Sequence, residues 1–261
     1  MARVTNTAAV TRLRECLSSP AMSPGTFLGL ASPTAIEVAA LAGCEWVLLD
    51  LEHGGGTLEQ VGPSVQAANA AGIPLVVRVP KSERSVVGWV LDQGAAGVML
   101  PRIESLEEAR ECVSYVDYPP EGQRGVASYT RSAGWASLSV RDTARGVVMI
   151  QIETTGALAA VTEIAALPGV DSLFVGPLDL SFALGVPEDF DASVFQDAVT
   201  TVVQAARSAQ IPVGSLISDP ARISSMRDYG MDFVALGSDA LALRRGLADQ
   251  VARVHSAESS D

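Results

Sequence analysis

Lysine is almost absent from this sequence, in which Lys81 is the single lysine among 18 basic residues. Enzymes that hold a carbonyl substrate as a Schiff base need the amine of a lysine. Lys81 follows Pro80 and stands three residues beyond Arg78, where an apolar run ends. We therefore expect its side chain to point into solvent, and the sequence argues against catalysis through a lysine Schiff base.

Cysteine and histidine are also scarce. The cysteines Cys16, Cys44 and Cys112 are odd in number and widely spaced, which argues against a disulfide framework and against a cysteine-based zinc site. Of the two histidines, His255 lies in a polar C-terminal segment and is expected to be exposed. His53 is then the one imidazole expected to act as a base near neutral pH. A histidine at the end of a strand can instead serve only to hydrogen-bond a neighbouring loop.

Positive charge and long apolar stretches are lacking too. The formal net charge of −12 argues against a nucleic-acid partner, whose phosphates would be repelled. No apolar run is long enough to span a bilayer, so no membrane partner is expected. The segment Met1 to Ser18 has no apolar core of the kind that signal peptides carry. These features together predict a cytoplasmic protein.

Short apolar runs that alternate with amphipathic segments are abundant. Eight runs are predicted to be strands, at Thr26–Leu30, Trp46–Asp50, Pro74–Arg78, Gly97–Leu100, Val147–Glu153, Ser172–Gly176, Pro212–Ile217 and Phe233–Gly237. Helices are predicted at Thr34–Ala42, Thr57–Ala71, Arg84–Gln93, Ser105–Val116, Gly156–Leu167, Val194–Ala209, Pro220–Tyr229 and Asp239–His255. Strands that are apolar almost throughout indicate a parallel sheet covered on both faces.

Eight such βα units favour a closed barrel over an open sheet. No dinucleotide-binding glycine fingerprint or phosphate loop follows the first strand, which weakens the open-sheet alternative further. The sequence therefore predicts an α/β fold, a (β/α)8 TIM barrel in one domain spanning residues 1–261, with a short helix before the first strand. The long irregular connection 117–145 is predicted to be either functional or disordered.

Two acidic residues stand at the ends of neighbouring strands. Gln151 and Glu153 lie two positions apart, so they point to the same face of their strand. Asp179 follows the next strand, after Gly176 and Pro177. Two carboxylates delivered by two strand ends suit a hard divalent cation. The alternative is that Glu153 pairs with an arginine and Asp179 caps the following helix.

Other polar residues end the second and third strands. Asp50, Glu52 and His53 follow the second strand, and Arg78 ends the third. In a barrel the C-terminal strand ends meet at one rim, where TIM-barrel active sites lie. Arg78 could instead be a structural tie to Asp50 or Glu52, but its place on the same rim as the two carboxylates favours a catalytic role.

Five motifs stand out along the chain, the segments 46–53 (WVLLDLEH), 77–78 (VR), 118–125 (YPPEGQRG), 151–153 (QIE) and 176–181 (GPLDLS). Together they resemble the motifs of one known family, the HpcH/HpaI aldolases. The resemblance runs from about Thr26 to Leu243 and keeps the order and approximate spacing of the family's motifs. It implies a metal-dependent pyruvate aldolase on a phosphoenolpyruvate-like (β/α)8 barrel, typically hexameric, with C-terminal helices packing between subunits.

The resemblance also implies roles for individual residues in the metal site. Glu153 and Asp179 match the acidic ligands of a divalent cation, Mg²⁺, Mn²⁺ or Co²⁺, which would be chelated by a 2-oxo acid such as pyruvate. Arg78 matches the residue that stabilises the enolate oxygen, and Gln151 would position the substrate or a water. At Gly176, Pro177 and Leu178 the chain turns into a helix, and the N–H groups of Leu178 and Asp179 would receive the substrate carboxylate.

The remaining matches concern proton transfer and the second substrate. His53 corresponds to the family's acid/base residue, and Asp92 matches the carboxylate that orients it. Phe27 and Leu216 match the pocket walls that touch an aldehyde acceptor. The chain departs from its relatives at Gly54-Gly55-Gly56, which we expect to make the loop beside His53 pliable and which leaves the acceptor open.

Three functions remain after this comparison. The first is an aldolase that makes or cleaves a 4-hydroxy-2-oxo acid. The second is oxaloacetate decarboxylation, or a decarboxylative carbon–carbon bond formation, through the same enolate. The third is a non-catalytic barrel, which fits poorly with the intact set of His53, Arg78, Glu153 and Asp179.

Overall fold

The protein, described here by a computed structural model for residues 6–258, folds as a closed barrel of eight parallel strands. Each strand pairs with its neighbours in sequence, and β8 pairs with β1 to close the ring. The strands are β1 Ser23–Leu28, β2 Trp46–Asp50, β3 Leu75–Arg78, β4 Gly97–Leu100, β5 Val147–Ile152, β6 Ser172–Val175, β7 Val213–Ile217 and β8 Phe233–Ser238. The predicted (β/α)8 barrel is confirmed. Residues 1–5 and 259–261 of the predicted domain lie outside the described residues.

Helices separate the strands and cover the outside of the barrel. They are α1 Thr7–Leu17, α2 Pro33–Leu41, α3 Val61–Ala71, α4 Arg84–Asp92, α5 Leu106–Ser114, α6 Thr155–Ala159, α7 Val161–Ala165, α8 Pro177–Ala183, α9 Ser193–Ala209, α10 Ile223–Tyr229 and α11 Asp239–Glu258. Short 3-10 turns lie at Leu58–Gln60, Val140–Asp142 and Pro220–Arg222. In the part of the chain that the structure describes, no helix has both the length and the apolarity to cross a membrane.

The main differences from the predicted elements lie at β1, after β5 and after β6. The first strand begins at Ser23, three residues earlier than predicted, because the sequence Met-Ser-Pro-Gly resembles a turn yet pairs with β8 from Ser23 onward. The helix predicted over Gly156–Leu167 is broken at Ala160 into α6 and α7. The short helix α8, absent from the predicted helices, starts with Pro177 at its first position, where proline is favoured.

Side chains alternate between two apolar cores. The inward residues of the strands form the inner core with three residues of α1, namely Val10, Leu13 and Leu17, all buried. The outward residues of the strands pack against the surrounding helices in a larger cluster. This alternation with a period of two places every second strand residue inside the barrel. Polar residues that continue the inward rows therefore emerge at the C-terminal rim.

Two features are at odds with a self-contained barrel. Helix α11 contacts the barrel near its start, and its residues from 242 to 257 are exposed. Leu236, on the outer face of β8, is 42% exposed.

The connection 117–145 follows an ordered irregular path, and its Arg124 is buried and bonds Asp92 at the end of α4. Because α4 leads into the start of β4, this contact lies at the N-terminal end of the barrel, away from the C-terminal rim.

Candidate active site

The C-terminal rim of the barrel surrounds a cavity of about 400 Å³. Residues from the ends of seven strands, all except β4, and from the loops that follow them form its wall. The lining residues include Phe27, Asp50, His53, Arg78, Gln151, Phe174, Gly176, Pro177, Leu178, Asp179 and Leu216. Nine of the site residues suggested by the sequence are therefore brought to one cavity by the fold.

Arg78 is held rigidly at the floor of this cavity. Its Nε and Nη2 atoms donate to Oδ1 and Oδ2 of Asp50 at 2.9 and 2.7 Å, a two-point contact that fixes the guanidinium plane. Nη1 lies 3.1 Å from Oε2 of Glu52 and donates to Oε1 of Gln151 at 3.4 Å. The guanidinium also stacks over the Phe27 ring, 5.2 Å from its centroid. Burial acts to raise the pKa of Asp50, but the bonds and charge of Arg78 outweigh it and hold that pKa below its usual value.

Glu153 is the most perturbed carboxyl group of the site. It is 3% exposed, and burial raises its pKa to about 7, while the backbone N–H of Arg102, 2.7 Å from Oε1, acts in the opposite direction. The negative charges of Asp179 and Glu52 raise this pKa further. The Nε2 atom of Gln151 donates to the other oxygen, Oε2. Three carboxyl groups thus repel one another around one point of the rim.

This arrangement fits a divalent cation. A buried carboxyl group beside two others is poorly compensated, and a cation between them would relieve both the repulsion and the cost of burial. Oε2 of Glu52 is buried without a hydrogen-bond partner, although Arg78 is near. Within residues 6–258, no three Asp, Glu, His or Cys side chains are grouped so as to enclose an ion by themselves. Glu153 and Asp179 would therefore supply part of an oxygen shell, with the rest from substrate or water.

Gly176 allows the close approach of β6 to these groups. A Cβ atom at this position would lie 2.7 Å from Nε2 of Gln151 and 2.8 Å from Oε2 of Glu153. Any side chain here would displace both polar groups. Helix α8 begins directly afterwards, with Asp179 in its first turn, where a negative charge is favoured.

His53 lies at the mouth of the cavity. Its side chain is 65% exposed, and its Nε2 lies 3.9 Å from Oε2 of Glu52. The loop beside it packs closely against its neighbours, and its pliability stays a prediction. The N–H of Gly55 donates to the carbonyl of Gly29 at 2.8 Å, and a Cβ at Gly54 would lie 2.2 Å from the carbonyl oxygen of Asp50. The glycines permit close packing of this loop against its neighbours.

Two other residues lie away from the cavity. Asp92, expected to orient His53, ends α4 at the opposite end of the barrel and binds Nη2 of Arg124 at 2.6 Å. Within one chain the structure therefore does not bring Asp92 to His53. Lys81 is 77% exposed at its side chain and pairs with Glu83 at 2.9 Å, in agreement with the expectation that it points into solvent.

Sequence reasoning left three contributors without a firm role. Asp50 and Glu52 were noted only as strand-end residues. Their position could have indicated a function, because they continue the row of inward residues of β2 at every second position. Arg102 contributes its backbone N–H to Glu153 from a left-handed conformation with φ of 54°. Such a conformation is uncommon for a residue with a side chain, and no sequence pattern indicates it.

Comparison with known proteins identifies the family of the chain. The model of the HpcH/HpaI aldolase/citrate lyase family matches residues 24–245. The chain belongs to the HpcH/HpaI aldolase family. The resemblance inferred from its motifs is therefore confirmed.

Individual members of the HpcH/HpaI family are similar to the chain over most of its length. A hydroxypyruvate/pyruvate aldolase of Paraburkholderia phytofirmans is 39% identical over 89% of this chain and 93% of that protein. A 2-keto-3-deoxy-L-rhamnonate aldolase of Salmonella gallinarum is 31% identical over 90% of each chain. The crystal structure of a HpcH/HpaI aldolase/citrate lyase family protein from Burkholderia cenocepacia superposes with a TM-score of 0.88 at 32% identity, covering 93% of this chain and 98% of that one.

Proposed function

We propose that this protein is a divalent-metal-dependent aldolase, a carbon–carbon lyase that forms or cleaves a 4-hydroxy-2-oxo acid through the enolate of pyruvate. The observation that carries the proposal is that Asp179 and the fixed Arg78 line one cavity, with the buried Glu153 beside it. Glu153 is bonded to Gln151, which also lines the cavity. Relatives named as pyruvate aldolases, similar over about nine-tenths of the chain, support it.

The cation, Mg²⁺, Mn²⁺ or Co²⁺, would be held by Glu153 and Asp179. When bound, it would draw electron density from the 2-oxo group and so ease the loss of a proton from the neighbouring carbon. Gln151 keeps Glu153 oriented through its amide and is also placed to position the substrate. The N–H groups of Leu178 and Asp179, in the first turn of α8, have no partners within the helix and would receive the substrate carboxylate.

Arg78 would stabilise the negative charge that develops on the enolate oxygen. Its guanidinium is oriented by Asp50 before any substrate arrives, so little reorganisation is needed during the reaction. Its burial keeps water away and strengthens the interaction. These residues together account for binding and stabilising the enolate, and the proton that leaves C3 of pyruvate would pass to water in the cavity.

His53 would transfer the proton in the second half of the reaction, in which the enolate adds to the aldehyde. In aldol addition, C3 of the enolate bonds to the aldehyde carbon, and the aldehyde oxygen takes up a proton to become the 4-hydroxyl. The reverse reaction removes that proton and breaks the same bond. The exposed position of His53 at the cavity mouth suits contact with an acceptor that enters last, between the walls formed by Phe27 and Leu216.

A second candidate function uses the same enolate. Decarboxylation of oxaloacetate, or a decarboxylative bond formation, needs the enolate half of the site but no base at a 4-hydroxyl. The observation that favours keeping this candidate is the separation of His53, which is exposed, from the buried Arg78 and Glu153. The enolate half is complete without the histidine.

Loss of pyruvate methyl protons into deuterated buffer tests the proposal. Exchange should require both the protein and Mg²⁺ or Mn²⁺, and excess EDTA should abolish it, because both candidate reactions pass through the enolate. Mass spectrometry of recovered pyruvate measures it, and Lys81→Ala is the control that should exchange at the parent rate. Full exchange in EDTA would contradict the role of a metal. No exchange, with metal or with EDTA, would leave the non-catalytic barrel as the remaining function.

We infer that the protein is also a homo-oligomer, a hexamer if it follows the family resemblance. Leu243, Leu247, Val251 and Val254 are each more than half exposed and fall on one face of α11. The outer face of β8, marked by Leu236, is also uncovered. The apolar helix face of one copy could pack against this strand face of another copy, since both surfaces are apolar. Packing α11 between copies would bury both.

Mixing two inactive variants tests whether copies share an active site. Asp92 and His53 lie at opposite ends of one barrel, so the pair expected from the family resemblance can form only between copies. His53→Ala and Asp92→Asn should each lower aldol cleavage, and mixed oligomers obtained by coexpression should recover it. Random assembly of equal amounts would restore about a quarter of such shared sites.

The matched control is the double variant His53→Ala/Asp92→Asn coexpressed with His53→Ala, which should recover nothing. Native mass spectrometry would establish that mixed oligomers are present in both samples. Mixed oligomers of the two single variants that stay inactive would show that Asp92 does not act on a neighbour's His53.

A further inference from the structure

A second cavity, of about 410 Å³, adjoins the first at the same rim. It lies between the outer face of β7 and the helices α9 and α10, where Ser215 and Ile217 point away from the barrel interior. Four residues line both cavities, namely Pro177, Leu178, Leu216 and Ser218. A molecule bound in the catalytic cavity therefore has a short path into the second one, past Leu178.

The walls of the second cavity are mainly apolar. Phe190 and Phe195 meet edge to face with centroids 5.3 Å apart, and the other apolar walls come from β7, α9, α10 and the start of β8. The apolar lining residues are Phe190, Phe195, Val199, Ile217, Met226, Tyr229 and Met231. Methionines and aromatic rings adapt to varied hydrocarbon shapes, so the surface suits an apolar ligand.

Several polar groups around this cavity are engaged by the protein. Both Nη atoms of Arg222 donate to Asp191, at 3.1 and 3.0 Å, and the guanidinium stacks over Phe190 at 5.4 Å. The hydroxyl of Ser215 donates to the carbonyl of Val175 at 3.1 Å. A polar ligand would have to compete with these contacts, whereas a hydrocarbon would not.

Leu178 connects the two spaces. It stands next to Asp179 in the first turn of α8, and half of its side chain is exposed. An aldehyde whose carbonyl carbon lies near Asp179 and His53 would extend its distal atoms across Leu178. Burying those atoms in the second cavity would also cover the leucine, so the contact is favourable for both.

We propose that the second cavity binds the hydrocarbon tail of the acceptor aldehyde, so that the substrates are 4-hydroxy-2-oxo acids with an alkyl or aryl substituent beyond C4. This inference rests on the proposed aldolase function and adds the substrate class. The bond changes are those of the aldol reaction given above, with no oxidant or reductant involved. The tail remains unchanged and contributes binding only.

Acceptor length tests the proposal in the parent protein. With pyruvate and a divalent cation, kcat/KM for addition to linear aldehydes from propanal to hexanal should rise about three- to fourfold for each methylene that enters the cavity. Pyruvate consumption measures the rate, and phenylacetaldehyde and glyceraldehyde serve as aryl and polar acceptors. A value that stays flat or falls with length would overturn the proposal.

A substitution that fills the cavity provides a second test of the proposal. Ser225 lines it from α10, and Ser224, next along the same helix, is exposed and lies outside both linings. Ser225→Phe should lower kcat/KM for hexanal about tenfold or more and leave acetaldehyde nearly unchanged, whereas Ser224→Phe should leave both unchanged. Met226→Ala, which enlarges the cavity, should shift the preference to longer aldehydes and covers the case in which Ser225→Phe does not fold.

Equal effects of the two phenylalanine variants on hexanal would refute the cavity's role. Deuterium exchange into pyruvate separates this outcome from a failure of the proposed function, because exchange needs no acceptor. Normal exchange without a length preference would overturn the tail site alone. Absence of exchange in the parent protein would overturn the aldolase itself, and with it the substrate class.

Discussion

Replacing Glu153 by glutamine, or Asp179 by asparagine, should lower aldol cleavage by about a thousandfold or more, since Lewis-acid polarisation contributes several kcal/mol to such reactions. Each substitution removes one carboxylate of the pair proposed to hold the cation, Asp179 in the cavity wall and the buried Glu153 beside it. Pyruvate release from a 4-hydroxy-2-oxo acid measures the effect. Excess Mn²⁺ should restore part of the activity if the substitution weakens affinity alone.

Glu104→Gln is the matched control, because this exposed glutamate lies in the loop after β4 and does not line the cavity. The pH dependence of Mn²⁺ binding sharpens the assignment. Protons compete with the cation for Glu153, whose pKa is about 7, so parent affinity should fall as pH decreases through that value. Glu153→Gln should lose this dependence. Parent activity that resists EDTA in full would contradict both expectations.

His53→Ala should lower aldol cleavage by about 10²- to 10⁴-fold, the usual contribution of a general base. The same variant should largely spare oxaloacetate decarboxylation, which needs an electron sink but no proton removal from a 4-hydroxyl. The structure separates the two requirements, since His53 is exposed at the mouth and Arg78 is buried at the floor. Pyruvate formation from the two substrates, assayed side by side, measures the difference.

Arg78→Ala is the comparison for this experiment and should damage both activities, because both pass through the enolate. It also leaves Asp50 buried without its two-point partner, so its fold should be verified by thermal melting. An equal loss of both activities in His53→Ala would mean that the histidine binds substrate or supports structure. It would not then be the base that distinguishes aldol cleavage.

The architecture and the main site residues could be predicted from the sequence because a parallel barrel imposes simple rules. Inward positions recur every second residue, and polar residues that continue these rows meet at one rim. Gln151 and Glu153 are separated by this period, and both are directed to the rim by β5. Arg78 continues the inward row of β3 in the same way.

What could not be predicted depends on contacts distant in sequence or on backbone geometry. The three glycines after His53 suggest mobility on propensity alone. The carbonyl oxygen of Asp50 nevertheless approaches Gly54, and the side chain of Ala31 approaches Gly56, too closely for a side chain there. Asp92 was expected from the family resemblance to orient His53, but it lies at the other end of its own barrel. The second cavity arises from the packing of α9 and α10, which no local pattern encodes.

The helix α1 has a consequence for the order in which the molecule assembles. Its buried residues Val10, Leu13 and Leu17 close the N-terminal mouth of the barrel, and Arg14 bonds Asp171, 157 positions later in the chain. Contacts between such distant segments form late, because the intervening chain must first be ordered. Helix α1 is therefore synthesised before β5 and β6 but docks only after they have formed. Its docking would mark the point at which β5 and the start of β6 have taken their places.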